Sequence, residues 1–264
     1  MNPVRSLRSF HRRRIDIPVG ADAVVLDIGS GDKPHWRADV LLDRYVDAIH
    51  GGQRSGRAAA RVSRPMFDAD AGAMPFADGA FDYVVCSHVL EHVVDPAAVA
   101  AEMQRVAKAG YIEVPEAASA KILDFPSHLW WCRLAGATLI MTAKRDQAAF
   151  DPEIQSYIED AGIERRLADL LDADFDRRVI GLRWTGRIDL DVEGEADPAL
   201  VRAALESGAH HRVAQSVAAR VLTAAMTAPR RRQRRREPVR FDDIVKPELR
   251  TGRSDPLERR VYRV

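Results

Sequence analysis

A chain of 264 residues with 46% hydrophobic and 30% charged side chains can bury one substantial core, and that balance excludes a disordered or fibrous protein. The net charge of +1 hides an asymmetry: residues 1–14 carry five Arg and no acid, residues 229–264 carry 13 Lys plus Arg against 6 Asp plus Glu, and residues 15–228 hold 22 bases against 33 acids. Such ends suit an anionic surface, whether nucleic acid, membrane headgroups or the acidic body of the chain itself.

The two cysteines, Cys86 and Cys132, have no C-x-x-C spacing, so neither a disulfide framework nor a cysteine zinc site is indicated, and a reducing cytoplasm fits. The basic N-terminus is followed by no apolar run of signal-peptide length. The most apolar stretch, residues 128–143, is short and interrupted by Arg133, which excludes a transmembrane helix.

In chain order, residues 23–28 read as a first buried strand, 40–42 as a second, a third ends near Phe67, 81–86 is a fourth and 111–114 a fifth. Between the last two, Asp95 caps a helix with Pro96 in its first turn and Gly110 after its end, and Val99, Met103 and Val106 share the face that packs on the sheet. Past Pro115 the pattern changes. Residues 128–143 read as two strands around Ala135-Gly136, an insertion over the strand ends, and 178–192 as a second pair bending at Trp184-Thr185-Gly186 that supplies the final strands of the sheet. Residues 163–171 and 213–226 read as helices, and 228–240 as a linker or arm with no apolar period to fold it.

The residues with chemistry begin at VVLDIGSGDKP (24–34), where a buried strand runs into Gly29-Ser30-Gly31. Glycines at the carboxyl end of a strand let backbone approach a ligand. A dinucleotide fingerprint needs a third glycine, whereas this chain has Pro34, and a bound pyrophosphate is thereby disfavoured. Three further segments follow in order: ADVLLDRY (38–45), DADAGAMPFADGAFDYVV (68–85) and CSHVLEHV (86–93). Together these resemble the class I S-adenosylmethionine-dependent methyltransferases, of the type 11-like branch, over residues 21–116.

The resemblance implies S-adenosylmethionine as cofactor, with Asp27, Gly29, Ser30 and Gly31 in the first loop, Asp43 on the ribose hydroxyls, Asp70 on the adenine amino group, Ala71 offering its N–H to the ring, and Cys86 beside the methionine part. Two features depart from the family. About ten residues separate Gly29 from Asp39, too few for a crossover helix, and Lys33 replaces the usual third small residue.

On the acceptor side, His88, Glu91 and His92 project to one side if they lie on a helix, as catalytic residues, with His88 as general base, or as ligands of a divalent metal. Some relatives hold an ion with a Glu-x-x-Glu-His form of this stretch. Glu116, His128 and Trp130 lie where acceptor contacts are expected, and Trp130 with Trp131 would form an aromatic wall.

The expected architecture is an α/β Rossmann-like three-layer sandwich with a mostly parallel seven-stranded sheet, a small inserted hairpin and a C-terminal helical and basic extension. Its divisions are a basic N-terminal segment (1–20), a methyltransferase domain (21–195) with an insertion near 117–150, a helical extension (196–228) and an Arg-rich tail (229–264). The expected activity is O-methylation of a small-molecule, lipid or glycan acceptor. An RNA methyltransferase gripping phosphates with its Arg-rich ends and a non-catalytic cofactor-binding scaffold are the alternatives; acceptor and oligomeric state are open.

Overall fold

Short runs of buried aliphatic side chains build the sheets of the computed structural model, which describes residues 15–47, 60–122, 125, 127–145, 153, 157, 163, 175–206, 237–253 and 255–264. The strands are β1 (Val25–Ile28), β2 (Val40–Asp43), β3 (Met66–Asp68), β4 (Tyr83–Ser87), β5 (Ala109–Pro115), β6 (Trp130–Ala135), β7 (Thr138–Ala143), β8 (Val179–Thr185), β9 (Leu190–Glu193) and β10 (Val261–Arg263). Every residue of β1 and β2 is buried, as in strands covered on both faces. A seven-stranded sheet has the order β10-β3-β2-β1-β4-β5-β8, parallel throughout except for β8, which runs antiparallel to β5. A second sheet pairs β6 with β7 as an antiparallel hairpin and adds β9 parallel to β7.

The helices are α1 (Pro96–Val106), α2 (Ala117–Ile122), α3 (Phe175–Arg178), α4 (Pro198–Glu206) and α5 (Phe241–Ile244). Asp95 accepts the Ala98 N–H at 2.9 Å, and Val99, Met103 and Val106 are buried in the main core. Gly110 does not cap α1. It lies inside β5, where a Cβ would stand 2.6 Å from the Trp184 indole nitrogen. The expected helix at 213–226, that at 163–171 beyond Ile163, and the arginines of residues 1–14 and 230–236 lie outside the described residues.

One connection lacks its helix, as its short spacing requires, and two departures from the sequence reading follow; all three have local causes. Residues 29–39 join parallel β1 and β2 without a helix, and Arg37 fills the gap. Its side chain is 2% exposed, pairs with Asp39 at 2.8 Å and donates to the carbonyls of Gly20, Ala21 and Ala23.

Residues 178–192 do not form one hairpin of the main sheet. The chain turns at Gly186, with φ of 72°, and β9 leaves for β7, where Thr138 and Thr142 donate to Asp189 and Glu193 at 2.9 and 2.6 Å.

The seventh main-sheet strand is β10, from the segment expected to be an Arg-rich tail. Tyr262 and Phe241 stack near Phe67, with centroids 5.1 and 6.1 Å away, and Arg263 donates to Asp68 at 3.1 Å. Aromatic burial thus draws back a stretch whose charge count alone suggested a solvated arm.

Candidate active site

The strand order reverses between β1 and β4, and in open parallel sheets the crevice at the carboxyl ends of such strands takes ligands. Here it is a cavity of about 340 Å³ lined from β1 by Gly29 and Gly31, from β2 by Asp43 and Arg44, from β3 by Asp70 and Ala71, and from β4 by His88 and His92. Gly29 and Gly31 have φ of 63° and 50°, the left-handed region that favours glycine, and a Cβ at Gly29 would collide with the Val89 side chain.

Asp43 braces this end. Its carboxylate accepts the N–H groups of Gly31 and Tyr45, both at 2.8 Å, which leaves each oxygen a further lone pair. Asp27 stays off the cavity wall. It is 4% exposed and accepts the His35 N–H at 2.7 Å, fixing the loop from below. Burial raises its pKa to about 7, the His35 bond opposes this, and the Asp43 charge adds to it. Ser30 is buried and its hydroxyl has no partner among the described residues. At the far end Asp70 accepts the Gly72 N–H at 2.8 Å with one oxygen and pairs with the Arg44 guanidinium through the other.

The acceptor side differs from the sequence reading. Leu90–His92 is a single 3-10 turn, not an α-helix, and His88 has φ of 55°. Its ring is thereby carried between two acids: Nδ1 lies 3.0 Å from Glu91 and Nε2 3.4 Å from Glu113. Desolvation lowers the His88 pKa, but the hydrogen bonds and charges of Glu113 and Glu91 outweigh it and push the value up to about 9. With each ring nitrogen facing a carboxylate, His88 turns no free lone pair toward the cavity in this arrangement, unlike the general base or metal ligand expected from the sequence.

Glu113, which the sequence reading missed, is 6% exposed and also accepts from Ser87 and Tyr111 at 3.0 and 2.9 Å. Its pKa is moved up by burial, and the bonds and charge of His88 carry it below the ordinary value.

His92 is held differently. Its Nδ1–H donates to the Ser127 carbonyl at 3.0 Å, which leaves Nε2 with a lone pair, and burial lowers its pKa so that the ring is neutral at pH 7. Glu91, His92 and His128 each place one ligand atom within 4.8 Å of the others. Glu91 is fully buried and His128 is 6% exposed, and among the described residues Glu91 Oε2 and His128 Nδ1 have no hydrogen-bond partner. Burial holds His128 well below the ordinary histidine range. Two orphaned buried polar atoms in one cluster demand an explanation.

Three predicted site residues are engaged elsewhere. Cys86 is fully buried in the core, where burial drives its thiol pKa up. Glu116 accepts the N–H groups of Ala118 and Ser119 and so caps α2. Trp130 is 2% exposed and donates its indole N–H to the Val93 carbonyl at 2.8 Å. It ties the loop after β4 to β6 and presents no wall to a substrate. Trp131 lies between Lys121 and Lys144, at 5.4 and 4.7 Å from its ring centre.

The family model described as a methyltransferase domain matches residues 26–112, the stretch from β1 into β5 that lines the cavity. Residues 26–112 thus resemble a methyltransferase domain. A demethylmenaquinone methyltransferase of Corynebacterium urealyticum is 35% identical over 106 residues, 40% of this chain and 45% of that relative, so this chain spans less than half the length of the relative it matches. Among solved structures, an S-adenosylmethionine-dependent methyltransferase from Methanosarcina mazei is 16% identical over 60% of this chain and 82% of its own, with a TM-score of 0.29. An arsenic(III) S-adenosylmethionine methyltransferase from Chlamydomonas reinhardtii is 16% identical over 47% and 54%, also at 0.29. The resemblance rests on the sequence match.

Just past the matched stretch, the missed Glu113 carries a signal: a carboxylate in the run Tyr111-Ile112-Glu113-Val114 needs a partner, and the nearby histidine stretch provides one. Arg44 follows directly on the acid of β2, where its cation reaches the next loop. His128 was read as an acceptor contact, and the structure brings it beside Glu91 and His92.

Proposed function

We propose that the protein transfers a methyl group from S-adenosylmethionine to an oxygen of a small-molecule, lipid or glycan acceptor. The observation that carries this reading is the convergence of the Gly29–Gly31 loop, Asp43 and Asp70 on one cavity at the sheet's reversal point. Asp43 takes the ribose hydroxyls with its remaining lone pairs, Asp70 faces the adenine amino group, and the Ala71 N–H meets the ring. The cofactor supplies an electrophilic methyl on sulfonium sulfur, and the chain's task is to hold donor and acceptor in line. His92 is the base, since it lines the cavity and its Nε2 keeps a lone pair while Nδ1 is bound to Ser127, and Glu91 and Glu113 hold His88 as a fixed cation beside it.

A second reading is favoured by the orphaned Glu91 Oε2 and His128 Nδ1: with His92 Nε2 they suit a divalent ion of the zinc or iron class, which takes imidazole and carboxylate together. Such an ion would lower the pKa of an acceptor hydroxyl.

Asp43→Ala should weaken S-adenosylmethionine binding about 10- to 100-fold by calorimetry, the loss of hydrogen bonds to a charged group; unchanged affinity would reject the ribose assignment. Metal analysis of chelator-free protein should find about one ion per chain, lost in His128→Ala; protein without metal leaves His92 as the base. Incubating cell extract with enzyme and radiolabelled cofactor, then sorting label into lipid, small-molecule, protein and RNA fractions, identifies the acceptor class. Label confined to RNA overturns the acceptor proposed here.

A further inference from the structure

Arg44 and Asp70 face each other across the end of the cavity that the proposed function gives to adenine. Both line it, from the loops that follow β2 and β3. One Asp70 oxygen is committed to the Gly72 N–H, and the other is held by the Arg44 guanidinium. The pair is 62% and 46% exposed, so neither charge is desolvated and exchange of partners is cheap. Asp43 contrasts with it: 7% exposed, with both oxygens on backbone amides and nothing to release.

Resting on the reading of this cavity as a nucleoside site, we propose that Arg44 is a gate on the adenine end, holding the carboxylate oxygen that the cofactor's amino group takes and yielding it on binding. The exchange replaces one N–H donor on Asp70 by another. Hydrogen bonds are therefore conserved, and the ion pair is what the cofactor must break. Arg44 thus acts through Asp70, as a positioning residue that sets affinity without touching the methyl group.

The gate predicts a salt response of unusual sign. S-adenosylhomocysteine carries no net charge, so screening acts mainly on the protein's own pair. Raising sodium chloride from about 50 to about 500 mM, a change that shortens the screening length severalfold, should tighten S-adenosylhomocysteine binding to the intact chain about two- to fivefold, the range set by an exposed ion pair. Arg44→Gln should bind about two- to fivefold tighter than the parent at low salt and show no salt response. Arg44→Lys, which keeps the charge, should keep the parent's response. If the parent binds but weakens with salt, or if Arg44→Gln binds no tighter at low salt, the gate is overturned while the nucleoside site stands. Absence of binding by the parent at every salt concentration would overturn the nucleoside site and the gate with it.

Discussion

The two ends of the cavity are built on opposite plans. At the end proposed for the cofactor, three carboxylates accept from backbone of their own or an adjacent loop: Asp27 from His35, Asp43 from Gly31 and Tyr45, Asp70 from Gly72. At the end proposed for the acceptor the links are long-range, Leu129 N–H to the Glu91 carbonyl, His92 to Ser127 and Trp130 to Val93, and two buried polar atoms have no partner among the described residues. Local bracing pre-forms the end lined by Gly31, Asp43 and Asp70. A site assembled between distant segments is free to differ from one chain to the next.

If that contrast is right, the largest effect of a single change belongs beneath the cofactor end. Arg37→Ala leaves Asp39 as an unpaired, mostly buried acid and strips donors from three carbonyls. The expected loss is about 3–5 kcal/mol of unfolding free energy in urea, the cost of breaking a buried pair. A loss below about 1 kcal/mol would mean that the helix-free connection is not held by this residue.

Next comes a pH effect. Asp27 keeps its proton to about 7 in the folded chain, against an ordinary value of 3.8, so between those values the folded state binds more protons and stability falls as pH rises. From pH 5 to 8 the parent should lose on the order of 2 kcal/mol more than Asp27→Asn, which has no such proton to give up. Parallel stability curves for the two would remove buried Asp27 from the account.

The smallest effect sharpens the acceptor side. Trp130→Phe removes the donor to Val93 and the pyrrole half of a buried indole, for about 1–2 kcal/mol, and should lower turnover more than cofactor affinity, since the loop it ties carries His92. Equal changes in both would mean that the ends of the cavity are not independent.

The same contrast explains what could be read from the chain before its structure. Gly29, Gly31, Asp43, Asp70 and Ala71 stand in short contiguous segments whose meaning is local, and all of them line the cavity. The His88 stretch misled because an α-helix was assumed, whereas a three-residue turn and a positive φ rotate the ring toward Glu113. Glu116 and Trp130 are polar or aromatic in the expected places, yet a helix cap and a carbonyl claim them, and neither partner is visible from spacing. Strand β10 escaped notice because three residues, Val261–Arg263, carry no periodicity of their own. Only the exposed flank of β3 explains it.

That last strand bears on how the protein is handled. Trimming the chain at its run of arginines, the natural place to cut on charge alone, would also remove β10, Phe241 and Tyr262. Met66–Asp68 would become an unguarded border with its amides and the Phe67 ring open to solvent, the kind of margin along which molecules zip together and precipitate. A shortened version is better made by excising the arginines and rejoining the flanks.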